Sequence, residues 1–402
     1  MFAIPTSEHP SRVDWLQVLA LLGLMIVSVM FIYSVMATQA VTTTLPWYRA
    51  RYVMQAVWFV AGIAGAVVVC LIDYRTLTRF SLVAYWLTIL ALALVLIPHV
   101  GSDRNGARRW FDLIVFQLQP SEFAKLAFIL AFANFLSRPA DELRAPSNFY
   151  KALGLIALPF LLILKEPDLG SALIFLPVGL VMMFVAGVPV KFLRRLLFGV
   201  GVLIALFLVD VLFAPPQWQV KLQEYQKRRL LVYFGRDYAH SGMTKEQREA
   251  AHVRQRTDSY NVDQALISVG TGGVFGKGWK QGTQNALGFL PRAGAHNDFI
   301  FSVIAVEKGF MGSVIVIALY SVVLFTGVRM AGQARDRLGK LLAVGVVTLF
   351  FSHVFINIGM NIRLMPVTGV PLPLLSYGGS SVLCSLIAIG ILQNVNLYRR
   401  SY

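Results

Sequence analysis

The chain has 402 residues, of which 57% are hydrophobic and only 14% charged, with a formal net charge of +16. A soluble domain carries about 25% charged residues, so this chain has too few to cover a water-facing surface, whereas a bilayer accepts an apolar exterior. The positive charge does not call for nucleic acid, because Lys and Arg of membrane proteins gather in cytoplasmic loops and against anionic head groups.

Apolar runs long enough to cross a hydrocarbon core recur at 15–37, 52–72, 80–98, 121–137, 150–164, 169–187, 196–214, 299–328, 341–360 and 379–397. They predict an all-α polytopic membrane protein of about ten transmembrane helices. The first run is too long for a signal-peptide core and lacks a small-residue cleavage site, so it is expected to stay as a membrane helix. Pro159 and Pro177 fall inside the fifth and sixth runs and are expected to break those helices. The eighth run is long enough to tilt or to project past the bilayer. Cys70 and Cys384 lie in apolar runs without metal-ligand spacing and need no disulfide. Short loops on one side hold about 15 Lys and Arg against about 7 on the other, which makes the richer side, with both termini, cytoplasmic. The prediction is a single membrane domain over 1–402 with one large extracytoplasmic loop at 215–298. That loop opens on Pro215 and Pro216, continues through a charged stretch from Thr244 to Arg256, and reaches a glycine-rich segment at 269–279. The segment lacks the GK[ST] ending of a phosphate loop, and its glycines suit tight backbone turns against the membrane surface.

Charged residues at membrane depth are costly and ask for a partner or a function. Glu122 and Lys125, in Gln119-Pro-Ser-Glu-Phe-Ala-Lys125, share a helix face at i, i+3; they either neutralise each other to fix packing or line a substrate cavity. Lys165-Glu166-Pro167-Asp168 joins two helices, where Asp168 suits an N-cap and the two carboxylates suit a cation site. Asp298, in His296-Asn297-Asp298, stands where the long loop re-enters the membrane, as an N-cap or as a partly desolvated general base. Glu307 lies further into the same helix. The stretch from Asn357 to Ser381 is dense in proline and glycine, and at membrane depth such backbone must be enclosed by protein or line a wet cavity.

At this last stretch, NIGMNIRLMPVTGVPLPLLSYGGSS resembles the C-terminal signature of the shape, elongation, division and sporulation family, whose branches are RodA and FtsW. NGARRWFDL with LQPSEFAKLA, EPDLGSAL, YQKRR, GKGWKQGTQ and HNDFIFSVIAVEKG follow the same family's order. PVTGVPLP and YQKRR are more similar to the RodA branch, which implies elongation and cell shape, with the FtsW-type division role as the alternative. The resemblance implies a peptidoglycan glycosyltransferase of the bacterial cytoplasmic membrane, with its active site on the extracytoplasmic side. Such an enzyme polymerises lipid II, a disaccharide-pentapeptide on undecaprenyl pyrophosphate, beside a class B penicillin-binding protein. It implies Asp298 as the essential aspartate and Arg109, Glu122, Lys125, Asp168 and Ser376 as polar cavity residues, which with Glu166, Lys277 and Glu307 are the expected substrate-binding residues. A divalent cation, Mg or Mn, is an expected cofactor, with no organic cofactor. The chain departs from the family at Pro291-Arg-Ala-Gly-Ala-His-Asn-Asp298, which has two extra residues, at Glu307, a lone carboxylate between Val306 and Lys308, and at an insertion near 235–257. A lipid flippase or ion-coupled carrier is the competing class.

Overall fold

A computed structural model describes residues 13–38, 46–98, 100–104, 107–112, 117–213, 224–235, 238, 244–282 and 294–400. The departures at 291–293 and most of 235–243 lie outside these residues, as do the side chains of Lys227 and Arg229.

Helices stand at each expected position: α1 (Trp15–Thr38), α2 (Arg51–Leu71), the short α3 (Tyr74–Arg79), α4 (Ser81–Val95), α5 (Pro120–Leu136), α6 (Ala140–Leu143), α7 (Pro146–Lys165), α8 (Leu169–Val185) and α9 (Val190–Phe213). The loop carries α10 (Glu224–Tyr233) and α11 (Lys245–Thr271), and the chain ends with α12 (Ile300–Gln333), α13 (Arg337–Asn361) and α14 (Gly379–Leu397). Among the described residues seven helices are long and apolar enough to cross a bilayer, and α4, α5 and α8 are shorter. The protein is therefore a multi-pass membrane protein. Of those seven, α13 and α14 are the most enclosed, while little of α9 is buried.

Two expectations about helix continuity change. Pro159 and Pro177 do not break α7 and α8, which run through them; the Leu155 carbonyl that Pro159 frees accepts from Tyr85 Oη of α4 at 2.9 Å, a partner from a neighbouring helix. The long eighth run is broken instead at Gly309, with φ 66° and ψ −159°. Straight, its 34 residues would extend ~51 Å, far beyond a hydrocarbon core of about 30 Å. A three-stranded antiparallel sheet was not expected: β1 (Ser102–Arg104), β2 (Ala107–Asp112) and β3 (Gln117–Leu118), pairing Ser102 with Trp110 and Phe111 with Leu118. The Asn105-Gly106 dipeptide between β1 and β2 is a hairpin signal.

Small residues set the helix spacing near the site. A Cβ built on Gly390 of α14 would lie 2.9 Å from the Cα of Ala66 on α2, the close approach that draws membrane helices together without a hydrophobic driving force. The connection at 362–378 between α13 and α14 is non-helical and largely buried, with Thr368, Val370, Leu372, Leu375 and Ser376 almost inaccessible. It is thus enclosed by protein, as such backbone requires at membrane depth.

Candidate active site

Three charged constellations converge on this buried loop. The first is the turn bearing Asp298. The N-cap position of α12 falls on Phe299, which makes no side-chain cap, so Asp298 does not occupy the cap expected for it. Its backbone is held from two sides. Tyr377 N donates to the carbonyl of His296 at 2.9 Å, and Ser376 Oγ donates to that of Asn297 at 2.6 Å. The carbonyl of Asp298 accepts from Asn357 Nδ2 at 3.1 Å and Asn361 Nδ2 at 3.0 Å. Three consecutive carbonyls are therefore pinned, and the half-buried Asp298 side chain starts from a fixed Cα. It faces Gly369, where a Cβ would stand 3.6 Å from Asp298 Oδ2. Gly369 has φ +74°, a backbone that favours glycine. Ser376 Oγ also accepts from Leu372 N at 2.8 Å, so its hydroxyl staples the loop to the Asp298 turn.

The second constellation joins α7 to α8. Asp168 caps α8 by accepting from Ser171 N at 3.1 Å, as its position predicted, and its other oxygen accepts from Gln119 Nε2 at 3.3 Å. Arg109 reaches across from β2, donating to the carbonyls of Glu166, at 3.0 Å, and of Pro167. Its guanidinium lies 4.0 Å from Asp168 Oδ1. Gly170 presses on the loop, for a Cβ there would meet Thr368 O at 2.7 Å and Val370 Cγ2 at 2.6 Å. Glu166 is fully buried, and neither carboxylate oxygen has a hydrogen-bond partner. Burial, and then the charge of Asp168, push its carboxyl up to about 9, against the opposing pull of Arg109.

The third constellation lies within the bundle. Glu122 and Lys125 are 4% and 3% exposed, with Lys125 Nζ 2.7 Å from Glu122 Oε1. Lys125 Nζ also stands 3.0 Å from His353 Nε2, and His353 Nδ1 is 3.1 Å from the carbonyl of Pro371 in the loop. Glu122, Lys125, His353, Pro373, Cys384 and Ser385 border a small cavity.

Glu307 and Lys277 belong to a separate cluster, Glu307 lying seven residues after Ile300, ~10 Å along the helix. Glu307 is buried and accepts from Ser34 Oγ at 2.5 Å and Lys280 N at 3.1 Å. The glycine-rich segment docks into the break at Gly309. Lys277 N donates to Val306 O at 2.9 Å and Gly278 N to Glu307 O at 3.1 Å, while Phe310 N and Met311 N donate to the carbonyls of Gly273 and Val274. These bonds replace the helical ones that the break removes. The turns lie against a helix, and Lys277 contributes its backbone while its side chain is exposed.

Among the described residues no group of three or more His, Cys, Asp or Glu could hold a metal ion. The unpartnered oxygens of Glu166 beside Asp168 are the donor set closest to the expected divalent cation, and a complete shell would need ligands from elsewhere. The sequence reading named Asn357 but passed over His353 and Asn361. Their signal was present, as polar residues four apart on an otherwise apolar helix.

A family model described as "cell cycle protein", of the FtsW, RodA and SpoVE type, matches residues 14–401. Peptidoglycan glycosyltransferase MrdB of Escherichia coli is 35% identical over 79% of this chain and 78% of its own. Peptidoglycan glycosyltransferase RodA of Treponema pallidum is 33% identical over 96% and 98%. A chain from a structure of a peptidoglycan synthase complex that coordinates polymerisation and crosslinking superposes with a TM-score of 0.73 at 26% identity, covering 97% of this chain and 99% of that one.

Proposed function

This chain belongs to the FtsW–RodA–SpoVE family, and from that premise we propose how it works as a peptidoglycan glycosyltransferase, with Asp298 as the general base. The enzyme polymerises lipid II on the extracytoplasmic side of the bacterial cytoplasmic membrane, for cell elongation and shape, in complex with a class B penicillin-binding protein. Asp298 takes the proton of the acceptor sugar's 4-hydroxyl. The freed oxygen bonds to the anomeric carbon of the donor as that carbon's bond to undecaprenyl pyrophosphate breaks, so an α-linked donor gives a β-linked product in one displacement. A positioned base contributes about 10²–10⁴ in rate.

The single observation that carries this reading is the pinning of Asp298, whose carbonyl and the two before it are each held while its carboxylate faces Gly369. A base must be within hydrogen-bond reach of its proton, and a backbone fixed by α13 and the buried loop supplies that aim. Lys125 is the cation suited to the leaving pyrophosphate. An ammonium has three donors, and Glu122 and His353 take two of them. Arg109 acts differently, because two of its donors go to the carbonyls of Glu166 and Pro167 and it thereby shapes the segment beside the site. A divalent cation, were one bound, would be held by Glu166 and would neutralise leaving-group charge.

The test is polymerisation of lipid II by the purified chain with its penicillin-binding partner in detergent. Asp298→Asn should abolish glycan synthesis while leaving folding and partner binding intact; an active variant refutes the assignment. Glycan made without a bilayer to cross also excludes a purely transporting role.

A further inference from the structure

We propose that His353 is a positioning residue for glycan transfer, tying the Lys125 ammonium to the Pro371 carbonyl of the loop that faces Asp298. The inference rests on the reading of Asp298 and Lys125 given above and adds a physical link between them.

His353 is 4% exposed and sits in α13, where a polar side chain is costly without partners. Both ring nitrogens have one: Nε2 stands 3.0 Å from Lys125 Nζ, and Nδ1 stands 3.1 Å from the Pro371 carbonyl. These partners fix the tautomer. An ammonium only donates and a carbonyl only accepts, so Nε2 accepts and the proton rests on Nδ1. A second proton would set a donor against a donor and a cation against a cation. The neutral ring is thus a connector with one direction, from Lys125 through imidazole to the loop. Glu122 and Lys125 face the ring from α5, and Cys384 borders the same cavity from α14.

The rest of α13 extends the link. His353, Asn357 and Asn361 recur every four residues and so share one helix face. His353 holds Pro371 O, and Asn357 holds Val370 O at 2.8 Å together with the carbonyl of Asp298. Asn361 holds that same carbonyl and accepts from Ser302 Oγ at 2.6 Å. Successive turns of one rigid helix therefore grip Lys125, two adjacent loop carbonyls and the base-bearing turn. The cation for the leaving group and the base for the attacking hydroxyl are held in one register, and misplacement by about 1 Å costs on the order of 10²-fold in rate.

Polymerisation kinetics of His353→Leu and His353→Gln, in the complex with the penicillin-binding partner, test this. Glutamine can accept from Lys125 and donate to Pro371, while leucine can do neither. Expected for His353→Leu is a kcat lower by about 10²-fold with KM changed less than about threefold, since a positioning role acts in the transition state. Expected for His353→Gln is recovery to within about tenfold of the unaltered enzyme, as its two hydrogen bonds are restored. Rates are taken per folded complex, with Asp298→Asn as the reference for lost chemistry. A His353→Leu enzyme with unchanged kcat overturns the inference while Asp298→Asn remains inactive, and activity in Asp298→Asn instead overturns the underlying reading. Should His353→Leu not fold, His353→Gln alone decides, and a loss beyond about tenfold in its kcat overturns the proposal.

Discussion

Replacing Lys125 by methionine removes the cation from a pair whose partners are only 3% and 4% exposed. Glu122 would be left enclosed with an uncompensated charge, which in buried pairs typically costs about 3–5 kcal/mol. His353 Nε2 loses its donor as well, adding about 1 kcal/mol. Adding Glu122→Leu removes the stranded charge, and apolar replacement of a whole buried pair is commonly neutral or stabilising. The double variant should therefore regain most of the loss, giving a coupling energy of about 3 kcal/mol or more. Denaturant unfolding in detergent, with all four members of the cycle, measures it. Glycan synthesis should be absent from both Lys125→Met proteins, because restored stability does not restore the cation for the leaving group; losing one such electrostatic donor costs about 10²–10³ in rate. A Lys125→Met protein as stable as the unaltered one would show the pair to be hydrated. A polymerising double variant would remove Lys125 from the mechanism.

Two other outcomes follow from the same structure. Glu166 is held up to about 9 in the folded protein against 4.5 ordinarily, so it keeps its proton when folded and loses it when unfolded. Stability should thus fall as pH rises from 4.5 toward 9; Glu166→Gln should flatten that slope in melting curves taken with chelator present, and parallel curves would contradict it. Gly276 has φ +83°, and a Cβ there would lie 2.2 Å from Glu307 O. Gly276→Ala should cost well over the roughly 1–2 kcal/mol of left-handed backbone alone, measured as lost monodisperse protein, whereas normal yield would mean that the docking at the helix break is dispensable.

Much of this protein is legible in one dimension. Helix positions follow from apolar runs because a bilayer demands them, and the Glu122–Lys125 pair and the Asp168 cap follow from spacing within a single turn. Ordered motifs point to the family to which the chain belongs, and through it to the proposal of Asp298 as base. Other features depend on contacts between distant segments. The break at Gly309 forms where the glycine-rich segment supplies replacement hydrogen bonds, so the helix's own sequence does not announce it. That Arg109 lies against the carbonyls of 166 and 167 could not be read from its motif. Nor could the motif of Ser376 show that its hydroxyl bridges Asn297 and Leu372. The sequence by itself determined the solvent, the helices and the residues with chemical potential, since burial of charge and backbone in lipid is a local cost. Only the tertiary structure decided which of those groups meet and hold one another, because a hydrogen bond between residues such as Lys125 and His353, 228 positions apart, exists only once the helices have packed.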